Sequence, residues 1–97
     1  MKFVANLRAG GWGSMTGSVP AIVKNAGEEE VELVNLTGAT RRETRPINSV
    51  APLTGKALED AKALAMVQLK KLDAYKIQSW DPIFSDREAI RAALQME

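Results

Sequence analysis

Asn48-Ser49-Val50-Ala51-Pro52-Leu53-Thr54-Gly55-Lys56 is the seam of this sequence. Before it, glycines punctuate short runs rich in Val, Ile and Thr, the composition of strands joined by turns. After it, Lys56 to Tyr75 contains no Gly and no Pro and is built of Leu, Ala, Lys, Glu and Met, all good helix formers. The change of character predicts an α+β domain: a strand half over residues 1–53 and a helical half over residues 54–97, together one domain, residues 1–97.

Upstream of the seam, Phe3, Ala5 and Leu7 alternate with Lys2, Asn6 and Arg8, which at a period of two predicts a strand with its apolar set on one face. Gly10, Gly11, Gly13 and Gly17 then bracket Trp12 and Met15, a loop carrying two apolar tips. Val19-Pro20-Ala21-Ile22-Val23 predicts a second strand starting near Pro20, whose ring nitrogen has no hydrogen to donate to a ladder. Asn25 to Glu28 supplies a turn, Val31 to Leu36 a third and central strand, and Thr37 to Thr40 a second turn. Arg41 to Val50, polar and interrupted by Pro46, predicts an edge strand. Four or five antiparallel strands so connected are expected to curl into a small barrel, since closure removes exposed edges, with an open sheet as the alternative.

Downstream, Thr54 is the expected cap of the first helix. Leu58, Ala61, Leu64, Ala65, Leu69, Leu72 and Tyr75 fall on one stripe at 3.6-residue spacing, with Glu59, Asp60, Lys62, Lys70, Lys71 and Asp73 opposite. Such a helix is about 30 Å long. Met66 and Val67 interrupt the charged face, where an isolated domain places polar groups. Asp81-Pro82 marks a turn, and Ser85 with Glu88 predicts a capping box for a second helix, stapled by Phe84 and Ala89.

Composition narrows the function classes. Lys and Arg number 13 against 12 Asp and Glu, a formal charge of +1, so no net field draws the chain to nucleic acid or an anionic membrane. There is no cysteine and no histidine, which removes the thiolate nucleophile, the disulfide framework and the commonest general base and metal ligand. A reducing compartment, a cytoplasm, fits this composition, and no span approaches membrane length. Gly11 to Gly17 departs from a dinucleotide fingerprint in its last glycine and precedes a strand rather than a helix. Gly55-Lys56 lacks the hydroxyl and the earlier glycine of a nucleotide-binding loop. Glu28, Glu29, Glu30 and Glu32 lack the spacing of a calcium site and read as a solvated edge. Asp81 beside Trp80 is the best candidate for a desolvated carboxylate, although an aspartate before proline more commonly forms a turn. No catalytic residue, cofactor or metal is expected.

Interaction signals are stronger. Trp12, Met15, Met66 and Val67 are the expected protein-interface residues, because indole anchors interfaces and thioethers adapt to irregular surfaces; for Trp12 and Met15 the alternative is a loop that folds back to cap its own barrel. Large apolar groups left outside a fold mark contact sites. The alternative is nucleic-acid binding through Arg41, Arg42 and Arg45, against which stand the interspersed Glu43 and the chance that these arginines neutralise Glu28 to Glu32 across neighbouring strands.

The run Val19-Pro20-Ala21-Ile22-Val23, then Val31 to Leu36 ending in Val34-Asn35-Leu36, then a glycine turn and Asn48-Ser49-Val50, resembles small phage-encoded proteins of the Src-homology-3-like barrel kind. The two C-terminal helices lie outside the resemblance. It implies a phage or prophage setting, in a host cytoplasm or a virion, and no catalysis. The expectation from residues and resemblance together is a non-enzymatic protein-binding or assembly module forming an oligomer.

Overall fold

A computed structural model describes residues 2–8, 17–38 and 40–96. These residues form the strands β1 (Phe3–Arg8), β2 (Gly17–Ala26), β3 (Glu30–Asn35), β4 (Arg42–Pro46) and β5 (Val50–Pro52), with a 3-10 turn at Ile47–Ser49 between the last two. Helices α1 (Gly55–Asp73) and α2 (Pro82–Met96) follow. All pairings are antiparallel and the strand order is β4-β3-β2-β1-β5, so the strand half ends where the composition changes, at Pro52. As expected, β3 is interior and the polar β4 is an edge.

The sheet is not closed. Among the described residues β4 and β5 share no ladder and each remains an edge. Strong curling takes the place of closure: Arg45 of β4 reaches back to donate to the Leu7 carbonyl of β1 at 2.9 Å, although β3 and β2 lie between those strands in the sheet. Curling gives the sheet two covered faces. Phe3, Ile22 and Leu36 pack with Ala61 and Ala65 of α1 and Ile90 and Ala93 of α2. Val4, Ala21, Val31 and Leu33 form a separate cluster inside the curl. β1 is therefore apolar on both sides through Ala5, and its alternation shows only at Leu7, which is 41% exposed.

Local chemistry sets the element ends. Pro20 lies inside β2, which begins at Gly17 rather than at the proline; the Pro20 carbonyl accepts from Leu36 N at 2.8 Å, so this ladder position needs only an acceptor there. The β2–β3 register slips between Val23 and Asn25, making Lys24 an extra residue that the bulge re-aims toward α2. Gly55 opens α1 at φ +60°, a conformation that side chains with a Cβ resist. Thr54 stands at the N-cap in extended conformation but makes no side-chain capping bond.

The α1 residues fully buried on the sheet are the alanines Ala61 and Ala65; Leu58, Leu69 and Leu72 flank them, partly buried. Short methyls bring the helix axis close to the sheet and leave the leucines to seal its sides. Leu64, at the margin of the stripe, is 36% exposed, and Tyr75 is 70% exposed because the helix ends at Asp73.

Helix α2 starts three residues before the expected capping box. Asp81 is its cap, with Oδ1 accepting from Ile83 N at 2.9 Å, and Pro82 takes the first helical position, where a missing N–H costs nothing. Ser85 instead donates to the Pro82 carbonyl at 3.0 Å. Asp81→Ala is accordingly expected to cost about 1 kcal/mol, and Ser85→Ala only a few tenths, as read from urea midpoints. Equal costs would contradict the assignment.

Candidate interaction site

Met66 and Val67 project from the side of α1 opposite Ala61 and Ala65, and each is 51% exposed. Ala63, between them on the outward side, and Leu64, between Val67 and the core stripe, are exposed as well. Beside Met66 a groove of about 550 Å³ runs between the helices, with Ala63, Met66, Leu69 and Leu94 giving its apolar lining. α1 thus has one side spent on the sheet and, on its solvent side, an apolar patch of Ala63, Met66 and Val67 set among charges. The other expected interface residues, Trp12 and Met15, lie outside the described residues.

Tyr75, which its spacing placed on the apolar stripe, and Trp80, beside Asp81, are exposed on the α1–α2 connection, Trp80 by 80%. An exposed indole cannot desolvate Asp81, and that carboxylate is engaged as a helix cap. Phe84 is half-buried beneath the Arg87 guanidinium, whose carbon lies 5.0 Å from the ring centre.

The three arginines are not brought together. β4 registers Arg42 with Val34 and Arg45 with Val31, and these partners belong to opposite faces. Arg42 Nε donates to Asp86 Oδ2 at 2.8 Å on the helix side, whereas Arg45 turns into the curl. Arg41 is exposed. Nor do Arg42 and Arg45 neutralise the glutamate run: Glu32 pairs with Lys24 at 3.8 Å, and Arg45 Nε lies 4.0 Å from Glu43.

Two polar constellations escaped the sequence reading. One is the buried Asp86, fully inaccessible on α2, held by Arg42 and by Lys24 Nζ at 3.2 Å. The other plugs the inside of the curl. Glu43 Oε1 accepts from Asn6 Nδ2 and Asn35 Nδ2, both at 3.0 Å, Asn6 Nδ2 also donates to Asn35 Oδ1, and Asn35 Nδ2 to the Thr40 carbonyl at 2.9 Å. Both constellations join distant segments and read as structural locks; Lys24 also lines an open cavity of about 410 Å³ with Phe84, Glu88 and Ala92. The inner face opens elsewhere into a small apolar cavity of about 180 Å³ lined by Val4, Val23, Val31, Ile47 and Val50.

Among the described residues no group of Asp and Glu could hold a metal ion, so Glu28 to Glu32 do not converge. No described helix is long and apolar enough to cross a membrane. No family model, curated protein or solved structure matches the chain.

Proposed function

We propose that this chain is a non-enzymatic protein-binding or assembly module that works as an oligomer, in a phage particle or as a phage-encoded factor acting on a host protein. Its contact surface is the outward side of α1. The observation that carries this reading is the pair Met66 and Val67, each 51% exposed on a helix whose opposite side is already packed, with Met66 lining a groove between the helices. Apolar surface of this kind is stabilised by a partner that removes it from water. The finer fold we propose is a Src-homology-3-like small barrel, supported by the strand order and by the 3-10 turn that carries the chain from one edge to the other. The nucleic-acid alternative needs Arg41, Arg42 and Arg45 on one surface, and the opposite facing of Arg42 and Arg45 favours the protein-binding reading.

Met66→Glu combined with Val67→Glu is expected to weaken association by at least about 30-fold, the scale of an interface hot spot. The far-UV circular dichroism should not change, since both positions face solvent in the folded chain. Sedimentation velocity of the variant against the wild type checks this. Equal sedimentation of the two proteins, with the fold intact, would sink the proposal.

A further inference from the structure

The charges around Met66 and Val67 are ordered along α1. Glu59 and Asp60 are exposed on the N-terminal side of Ala63, and Lys70 and Lys71 are exposed on the C-terminal side of Val67. The order suits the helix itself, because basic groups in the last turn oppose the dipole. Their intrachain partners are weak or missing. Asp60 meets Lys56 at 3.2 Å in a pair exposed on both sides, and Glu59 lies 3.8 Å from Lys62. Lys70 and Lys71 have no ion pair among the described residues.

The positions are also symmetric. Residues 59 and 60 precede Ala65 by as many places as residues 71 and 70 follow it, and Ala63 and Val67 flank the same centre. When two such helices are laid face to face and antiparallel, this arrangement sets the acidic pair of each copy level with the basic pair of the other. The small Ala63 then meets the larger Val67, and Met66 reaches toward the groove beside Leu94. A parallel arrangement would instead set each charge against its own like.

We propose that the partner of the α1 face is a second copy of this chain, docked antiparallel about a two-fold axis level with Ala65. The inference rests on the reading of that face given above and adds the partner and the geometry. A two-fold contact must be self-complementary, and this stripe is, in both charge and size. Ion pairs at its ends specify orientation, while Ala63, Met66 and Val67 supply the buried apolar area.

Charge-swapped variants provide the test, with sedimentation equilibrium as the readout. One carries Glu59→Lys and Asp60→Lys, and the other Lys70→Glu and Lys71→Glu. Each alone sets like charges across the two-fold axis and should weaken self-association by about tenfold or more. An equimolar mixture, with opposite charges restored, should form a heterodimer with an affinity near that of the wild type. Glu28→Lys with Glu29→Lys, a change of equal charge on the β2–β3 turn, should leave association unchanged, and circular dichroism verifies each fold. If each swapped variant associates like the wild type while Met66→Glu/Val67→Glu does not, the antiparallel two-fold is overturned and the contact face stands. A wild type that stays monomeric, or a mixture no tighter than its parts, overturns the homodimer.

Discussion

Phe3→Ala is expected to lower the unfolding free energy by about 3–5 kcal/mol, a large fraction of the roughly 5–15 kcal/mol that a domain of this size typically has. Phe3 is 1% exposed and sits where β1 passes beneath both helices, against Ile22, Leu36, Ala61, Ala65, Ile90 and Ala93. Three of those neighbours are alanines, whose methyl groups have no rotamers with which to fill a void. The cavity left by the missing ring therefore persists, and the cost should fall near the upper end of the range. Leu7 provides the control, since it shares the strand and the parity of Phe3 but is 41% exposed. Leu7→Ala should cost under about 1 kcal/mol. Urea denaturation followed by circular dichroism measures both. A loss below 1 kcal/mol at Phe3 would mean that the helical layer does not rest on β1.

The contrast between Phe3 and Leu7 shows what a sequence pattern carries. Periodicity reports which side chains prefer shelter, so the division at Pro52, the edge character of β4 and the inward stripe of α1 were all legible. Met66 and Val67 were legible for the converse reason, as apolar residues placed among charges. Periodicity does not report how far a sheet curls. Asn6 alternates with apolar neighbours as a solvent-facing residue does, yet the curl carries it onto Asn35 and Glu43, 29 and 37 positions away. Asn35, flanked by Val34 and Leu36, is likewise buried, with its amide fully used. A buried polar group and a solvated one look alike in sequence, because what separates them is a partner from a distant segment. The start of α2 was misplaced for a more local reason: Ser85 and Glu88 have the spacing of a capping box, but Asp81-Pro82 offers a stronger cap and a stronger first residue, and the earlier signal wins.

Asp86 is the clearest case of such a distant partnership, and its two cations give the second large effect. Its carboxylate is wholly buried, while the Lys24 and Arg42 side chains are 19% and 42% exposed. Losing either cation leaves the other in place, and Arg42 is partly screened by water, so each single methionine substitution should cost about 1–2 kcal/mol. Losing both strands the carboxylate without a counter-charge. Lys24→Met with Arg42→Met is therefore expected to cost about 3–5 kcal/mol, more than the sum of the smaller single effects. Adding Asp86→Leu to that pair should recover most of the loss, because an apolar cluster has no charge left to desolvate. Guanidinium titrations of the double and triple variants decide the matter; a triple variant as unstable as the double would show that the lysine and arginine act by packing rather than by charge. The consequence reaches the α1 face. α2 meets the sheet through this lock as well as through Ile90 and Ala93, and its Leu94 lines the groove beside Met66. The lock thus helps to hold the groove wall in position, and under the proposed self-association the double variant should associate less tightly than the wild type even in conditions where it remains folded.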